Sequence, residues 1–427
     1  MGLPSVFVFE PSCEKRKRSF ASAFIRKERL KGPQEFREEL RALRMKVRSN
    51  LDRLLGMFLS EVHSLSGVNI CMADRAEDAA QYIKERMGDL KHVSLNRSSV
   101  VVNELRPLLR AFGFRTFLRY FGEFKNLDSS KLVLSDYWAL PDLHRRNLLE
   151  SFEAEKIAGL EGSHGLRGYG AILGVNAACA RDGSLFFLQH MSNISKDLLQ
   201  ASKLFFIVPL EKIVEDAQEA SVHVKGMGIF GLEPLLLDLR PKEEEIFHFD
   251  GLPAFHGDRE VHVIVLDNGR RRLLGTAFSD LLLCIDCRAC TRQCPVGAHL
   301  SLPEDLIYSP KNLLLLYLQG RSRPFELCLH CGRCEVECPC GIDIPRLLWQ
   351  AQLDFYKRKR RGLRRMLLDD PELLAKAGNL FFPFSNAILK MRVARVIVEL
   401  LAGIHRDAAL PSFRAETLRG LMRRTRG

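Results

Sequence analysis

Cys284-Ile-Asp-Cys287-Arg-Ala-Cys290-Thr-Arg-Gln-Cys294-Pro295 and Cys328-Leu-His-Cys331-Gly-Arg-Cys334-Glu-Val-Glu-Cys338-Pro339 are one pattern written twice, C-x2-C-x2-C-x3-C-P. The spacing suits a cube of iron and sulfur. Such a cube offers one open site on each of four irons. Three thiolates two residues apart can wrap three of them from a single tight loop. The fourth cysteine has moved onto the following helix and points toward the neighbouring cluster. The reading therefore assigns Cys284, Cys287, Cys290 and Cys338 to one [4Fe–4S] cluster, and Cys328, Cys331, Cys334 and Cys294 to a second. Pro295 and Pro339 turn the chain away and bring no N–H in need of a partner.

Zinc is the competing metal. Structural zinc sites usually pair two C-x2-C knuckles across a longer gap, which does not account for a third cysteine, a fourth and a proline, all repeated. Full ligand sets also leave no iron open to a substrate, which points to electron transfer rather than chemistry at the metal. No catalytic residue is assigned. Cys340 is read as a spare packed thiol, with a substitute-ligand role left open. Cys13, Cys71 and Cys179 stand alone, and His330 is read as hydrogen-bonded or solvated.

The chain has 427 residues, 46% of them hydrophobic, enough for two or three units with real cores. Its net charge of +12 is uneven. The excess gathers in Glu14–Arg18, in Lys357–Arg365 and in Arg423, Arg424 and Arg426. No nucleic-acid-binding pattern accompanies these runs, so no nucleic acid is expected, and they read as solvated faces that meet an acidic partner or an anionic membrane surface. No apolar run reaches the length of a membrane span, and no export signal leads the chain. Nine of the twelve cysteines crowd into 284–340, as metal ligands in a reducing compartment do. The expected location is cytoplasmic, with a peripheral place at the inner face of the membrane allowed.

Residues 1–65 read as a basic helical region, with Leu40, Leu43, Val47, Leu51, Leu54, Leu55, Phe58 and Val62 forming one apolar stripe. From there strands and helices alternate: strand Val68–Ala73, helix Arg75–Met87, strand His92–Asn96, helix Asn103–Phe112, strands Leu185–Gln189 and Leu204–Val208, then a helical pattern over Leu210–Ala220. This predicts an α/β domain over 66–275 with a largely parallel sheet. Glu260–Leu266 leads into Asp267-Asn268-Gly269, a hairpin turn signal. A two-cluster domain over 276–350 and a basic helical tail over 351–427 complete the organisation. Gly226-Met-Gly228-Ile-Phe-Gly231 matches G-x-G-x-x-G but lacks the strand before and the helix after that a dinucleotide site needs. Leu235–Leu239 beyond it reads as a strand. The glycines from Gly162 to Gly170 read as a loop of close backbone approach.

Three stretches resemble the lactate-utilisation protein B family, whose members combine a LUD domain with a two-cluster ferredoxin. They are Arg97-Ser-Ser99 with Asn103-Glu104; His164-Gly165 and Gly174 through Gly183-Ser-Leu-Phe-Phe, then Phe205 through Glu211-Lys-Ile-Val; and His262 through Asp267-Asn-Gly-Arg270 running into the first cysteines. The resemblance implies an α/β domain like those of ribose-phosphate isomerase and the CoA-transferases, followed by an α-helical ferredoxin, in an iron–sulfur subunit of a lactate-oxidising complex. Where the family carries an acid and a threonine before the glycine, this chain has Arg181 and Asp182, which inverts the charge of a candidate pocket. Tyr308-Ser-Pro310-Lys-Asn is similar to the α-helical ferredoxin component of heterodisulfide reductase. Asn379–Arg424 resembles the segment preceding a cysteine-rich CCG domain in glycolate and glycerol-3-phosphate oxidase subunits, so that domain is expected on a separate subunit.

The leading function is thus an electron-transfer subunit working with a CCG-domain subunit, a flavin-containing or LUD-type subunit, and a quinone or other acceptor. Two alternatives stay open. The LUD-like domain could be an enzyme on an anionic small molecule, with His164 and Arg181 in the pocket; or the clusters could form a redox sensor.

Overall fold

The computed structural model describes residues 2–10, 34–118, 167–189, 193–231, 250–253, 259–291, 293–299, 307–321, 326–358, 370–410, 412–414 and 422. Cys13, Glu14–Arg18, His164, Leu235–Leu239 and the terminal arginines lie outside these. The chain divides into two compact units, Met1–Gln350 and Ala351–Gly427.

The described strands of the first unit are β1 (Val6–Glu10), β2 (Val68–Ala73), β3 (His92–Leu95), β4 (Arg115–Leu118), β5 (Arg167–Gly174), β6 (Ala177–Cys179), β7 (Leu185–Leu188), β8 (Ala201–Pro209), β9 (Ile213–Val214), β10 (Asp250–Pro253) and β11 (Glu260–Leu266). Six form a sheet of order β2-β11-β8-β5-β3-β4. Every pairing in it is parallel. Its central strands are apolar on both faces, and Leu204–Val208 and Val261–Leu266 are buried throughout, because a parallel sheet is covered on both sides. The other five make a mixed sheet, β10-β1-β7-β6-β9.

Helices α1 (Gln34–Ser49) and α2 (Leu51–Ser64) carry the predicted stripe, and all eight of its residues are buried. α3 (Ala76–Met87) crosses from β2 toward β3. The helix read over Asn103–Phe112 is a π-helical turn, Val100–Leu105, followed by the short α-helix Arg106–Ala111. α4 (Ala217–Phe230) begins at Asp216, whose carboxylate accepts the Glu219 N–H at 3.0 Å.

Three expectations need correction. Residues 1–65 are not all helical: Val6–Glu10 is a strand that pairs with β7 and β10. Its Val-Phe-Val-Phe run alternates within a basic neighbourhood too short to show a period. Asn268 and Gly269 do have positive φ, 45° and 85°, but the chain continues into a 3-10 turn, Arg271–Leu273, and no hairpin forms. Glu260–Leu266 instead sits between two parallel neighbours. Leu210–Ala220 is a 3-10 turn, a two-residue strand and only then a helix. The G-x-G-x-x-G stretch lies in the last turns of α4, where a Cβ on Gly226 would stand 2.8 Å from Leu40 Cδ2. That glycine serves helix packing.

The second unit holds helices Pro371–Leu380, Phe384–Lys390 and Arg392–Ala402. Val393, Leu400 and Leu401 on the last of these are each at least 69% exposed. Among the described residues, no helix is long and apolar enough to cross a membrane.

Candidate metal centre

Each cysteine run is a loop with the same unusual backbone. Asp286 and Arg288 of the first have φ of 64° and 59°; their counterparts in the second, His330 and Gly332, have 50° and 74°. Left-handed geometry at a non-glycine is costly and persists where surroundings enforce it. The reversal folds main-chain N–H groups back onto sulfur. Asp286 donates to Cys284 Sγ at 3.2 Å and His330 donates to Cys328 Sγ at 3.3 Å. The sequence repeat is therefore a repeat of conformation.

The sulfurs influence one another in two groups, which touch where Cys334 acts on Cys290. Burial raises the Cys287 and Cys290 thiols, and the charges of Cys284 and Cys338 raise both further. Cys334 is pushed to about 12, first by burial and then by Cys328 and Cys294. Cys338 goes to about 11, chiefly by burial, with Cys284 adding to the rise and the Ile342 N–H opposing it. Cys338 thus neighbours the first run and Cys294 the second. Cys294, Cys328, Cys331 and Cys334 also line one small cavity, of about 30 Å³, with Val296, Leu313, Leu327, Leu329 and Leu348 among its apolar walls. Thiols so raised stay protonated when alone, so metal uptake would release protons.

Among the described residues, no three His, Cys, Asp or Glu side chains gather as they would around one metal ion. Thiolates at four corners of a cubane stand farther apart than the ligands of a single ion. Donor type, spacing and pairing across the runs fit two cubes. Cys340 is buried, and its thiol is raised by burial and then by Cys338 and Cys287, which places it beside the first group. His330 packs edge-on against Trp349, with ring centroids 4.8 Å apart. Tyr308 Oη lies 2.8 Å from Cys294 Sγ, a hydrogen bond in which either atom can donate and in which the hydroxyl donates once the sulfur is a thiolate.

The α/β domain holds the first loop through buried charge. Arg44 of α1 is fully buried and donates to the carbonyls of Glu211, Leu282 and Leu283 at 2.6, 2.7 and 3.2 Å. Lys212 donates to the Ile285 carbonyl at 2.7 Å. His223 lies between these two cations; burial and their charges hold it well below its usual range, hence neutral. Ser99 Oγ donates to Asp286. Arg270 pairs with Glu104 at 2.8 Å and with Glu211 at 2.7 Å. Burial alone would raise the Glu211 carboxyl; Arg270, Lys311 and Lys212 bring it down to about 2. Asn103 exchanges two hydrogen bonds with the Ile307 backbone, just before Tyr308. Residues quoted above from three separate stretches, Ser99 with Asn103-Glu104, Glu211 and Arg270, meet in one network against the cysteine domain. Arg44 was missed by the sequence reading, and Lys212 and Lys311 stood in quoted stretches without a role; in the sequence each is one more cation in a basic chain.

Arg181 is 66% exposed on its side chain and reaches Glu215 only at 3.8 Å, so it stands outside any described pocket. Its place as an anion-binding residue is not supported.

Residues 280–342 match a family model described as a 4Fe-4S dicluster domain. Over 296 residues, 62% of this chain, the sequence is 26% identical to lactate utilization protein B of Macrococcus caseolyticus, covering 60% of that protein. It is 28% identical over 287 residues to the protein of that name from an Exiguobacterium species, covering 59% of it, and 26% identical over 290 residues to the one from Geobacillus kaustophilus, again covering 59%. No solved structure matches. The chain spans about three-fifths of the length of the curated relatives it matches. It is an iron–sulfur protein of ferredoxin type in its cysteine-rich part, and similar to lactate utilization protein B over 62% of its length.

Proposed function

We propose that the chain is the electron-transfer subunit of a multi-subunit oxidoreductase that serves the oxidation of lactate or a similar 2-hydroxy acid. In this reading Cys284, Cys287, Cys290 and Cys338 hold one [4Fe–4S] cluster, and Cys328, Cys331, Cys334 and Cys294 the other. Bound clusters supply one-electron carriers whose potentials respond to charge and to hydrogen bonds at sulfur. The chain's own residues set those conditions: the Asp286 and His330 N–H groups and Tyr308 Oη donate to sulfur, while Arg44 and Lys212 fix the approach to Cys284. The reading is supported chiefly by Cys338 acting on Cys287 and Cys290 of the first run, and Cys294 on Cys334 of the second.

The α/β part would be of the ribose-phosphate isomerase and CoA-transferase kind, spanning 66–275 and recruiting the strand Val6–Glu10 from the 1–65 region; residues 276–350 would be the two-cluster domain. A separate CCG-domain subunit and a flavin-containing or LUD-type subunit would complete the electron path to a quinone or other acceptor. The apolar residues exposed on Arg392–Ala402, in the 351–427 tail, support docking there. Anaerobically purified chain should carry about eight irons and as many inorganic sulfides, two cubes of four. A content near four, or zinc in stoichiometric amount, would reject the two-cluster proposal.

A further inference from the structure

Beside the first cysteine loop, the carboxyl ends of β3, β5 and β8 open into a cavity of about 90 Å³. Its position follows from the topology. β3 and β5 are neighbours, yet the chain leaves β3 for the edge strand β4, and leaves β5 for β8 and β11 on the other side. A parallel sheet leaves a crevice where its order reverses, and ligands bind there.

The lining is cationic. Arg97, Lys212, Arg270, Arg288 and Lys311 face it, against the carboxylates Glu211 and Asp286. Glu104, which pairs with Arg270 from behind the wall, offsets a further part of that charge. Arg270 is held by its two carboxylates and Lys212 by the Ile285 carbonyl. Lys311 differs. It is 6% exposed, and no hydrogen bond or ion pair holds its Nζ among the described residues, although the charges of Cys284, Asp286 and Glu211 act on it. The left-handed Arg288, where the second run has Gly332, sets another cation on the same wall.

We propose that this cavity binds a small dianion, a phosphate or a pair of carboxylates, with Lys311 as its main charged contact. Several cations converging on one cavity favour a dianion over a monoanion, and the Lys311 ammonium supplies a charge-assisted hydrogen bond. Because Asp286, Cys287 and Arg288 form the opposite wall, an occupant would place negative charge next to the first cluster and make that cluster harder to reduce.

The test titrates inorganic phosphate, malonate and acetate into the anaerobic, iron-loaded full chain by calorimetry at constant ionic strength. Phosphate or malonate should bind saturably and more tightly than acetate. Lys311→Met should weaken that dianion at least about tenfold, the cost of one charged hydrogen bond. Lys311→Arg should keep binding, and Lys376→Met, which removes an equal charge from the exposed second unit, should leave it unchanged. Iron content on the same samples shows that each variant is folded, and Lys311→Gln replaces the methionine variant if that one loses iron. Absence of saturable binding by both dianions overturns the proposal. So does a Lys311→Met protein that binds as tightly as wild type while its cluster potential moves, since the lysine would then serve the cluster alone.

Discussion

Replacing Arg44 with methionine tests whether the α/β unit holds the first cysteine loop in place. The side chain is fully buried and donates to three carbonyls, those of Glu211, Leu282 and Leu283. Methionine keeps the stem and removes every donor. Each orphaned carbonyl costs about 1–3 kcal/mol, so three together cost on the order of 3–9 kcal/mol. Removing the guanidinium also removes its desolvation penalty, which leaves a net loss of about 3–5 kcal/mol. At roughly 2 °C per kcal/mol for a unit this large, Tm should fall by about 6–10 °C. Leu282 and Leu283 immediately precede Cys284, so iron release from the anaerobic protein should also quicken. Calorimetry and chelator-monitored iron loss on the same sample read both effects. A variant within about 2 °C of wild type and with unchanged iron loss would refute the reasoning. Arg48→Ala is the contrast: its pair with Asp280 is partly exposed, and its loss should cost less than about 1 kcal/mol.

Tyr308→Phe removes the hydroxyl that meets Cys294 Sγ. Losing a donor worth about 1 kcal/mol should lower one cluster's midpoint potential by about 40 mV and leave the other in place, read by redox titration; equal shifts in both would contradict the assignment. His262 is buried and stacked on Phe205, and burial pushes its ring down to about 4 despite Glu260. Its folded pKa lies below the unfolded 6.5, so stability is complete above 6.5 and is lost as pH falls toward 4, by up to about 3 kcal/mol. His262→Gln should flatten the fall of Tm between those values, and an unchanged slope would exclude this ring as the cause. Gly332→Ala meets no atom but must hold a φ of 74°, so thermal denaturation should show a loss of about 1 kcal/mol; a neutral result would mean that the loop relaxes.

The sheet was legible where strands are short, fully apolar runs. Val68–Ala73 and Glu260–Leu266 were read with the observed bounds, and Leu204–Val208 lies inside β8. β5 escaped notice because its glycines mimic a loop; a Cβ on Gly170 would stand 2.5 Å from Met87 Sδ, and one on Gly174 would stand 2.4 Å from Ser98 Oγ, so packing fixes those residues. The dicluster domain was readable because metal geometry constrains local cysteine spacing. The basic cavity was not: its cations run from Arg97 to Lys311 with no period, and only the meeting of three strand ends with the cysteine loop unites them. Arg44 misled for a related reason. In Arg41-Ala-Leu-Arg44-Met-Lys46-Val-Arg48 it looks like part of a solvated helix face, whereas its partners lie more than 160 positions away in sequence.

Electron paramagnetic resonance of the reduced Cys338→Ala protein bears most directly on the crossed ligand sets. Cys338 stands in the second run of the sequence, and the account gives it to the cluster held by the first. The signal of that first cluster should therefore be lost or altered, while the remaining signal keeps its sensitivity to Tyr308→Phe through Cys294. Loss of the Tyr308-sensitive signal instead, or a wild-type protein with no paramagnetic signal on reduction, would contradict it.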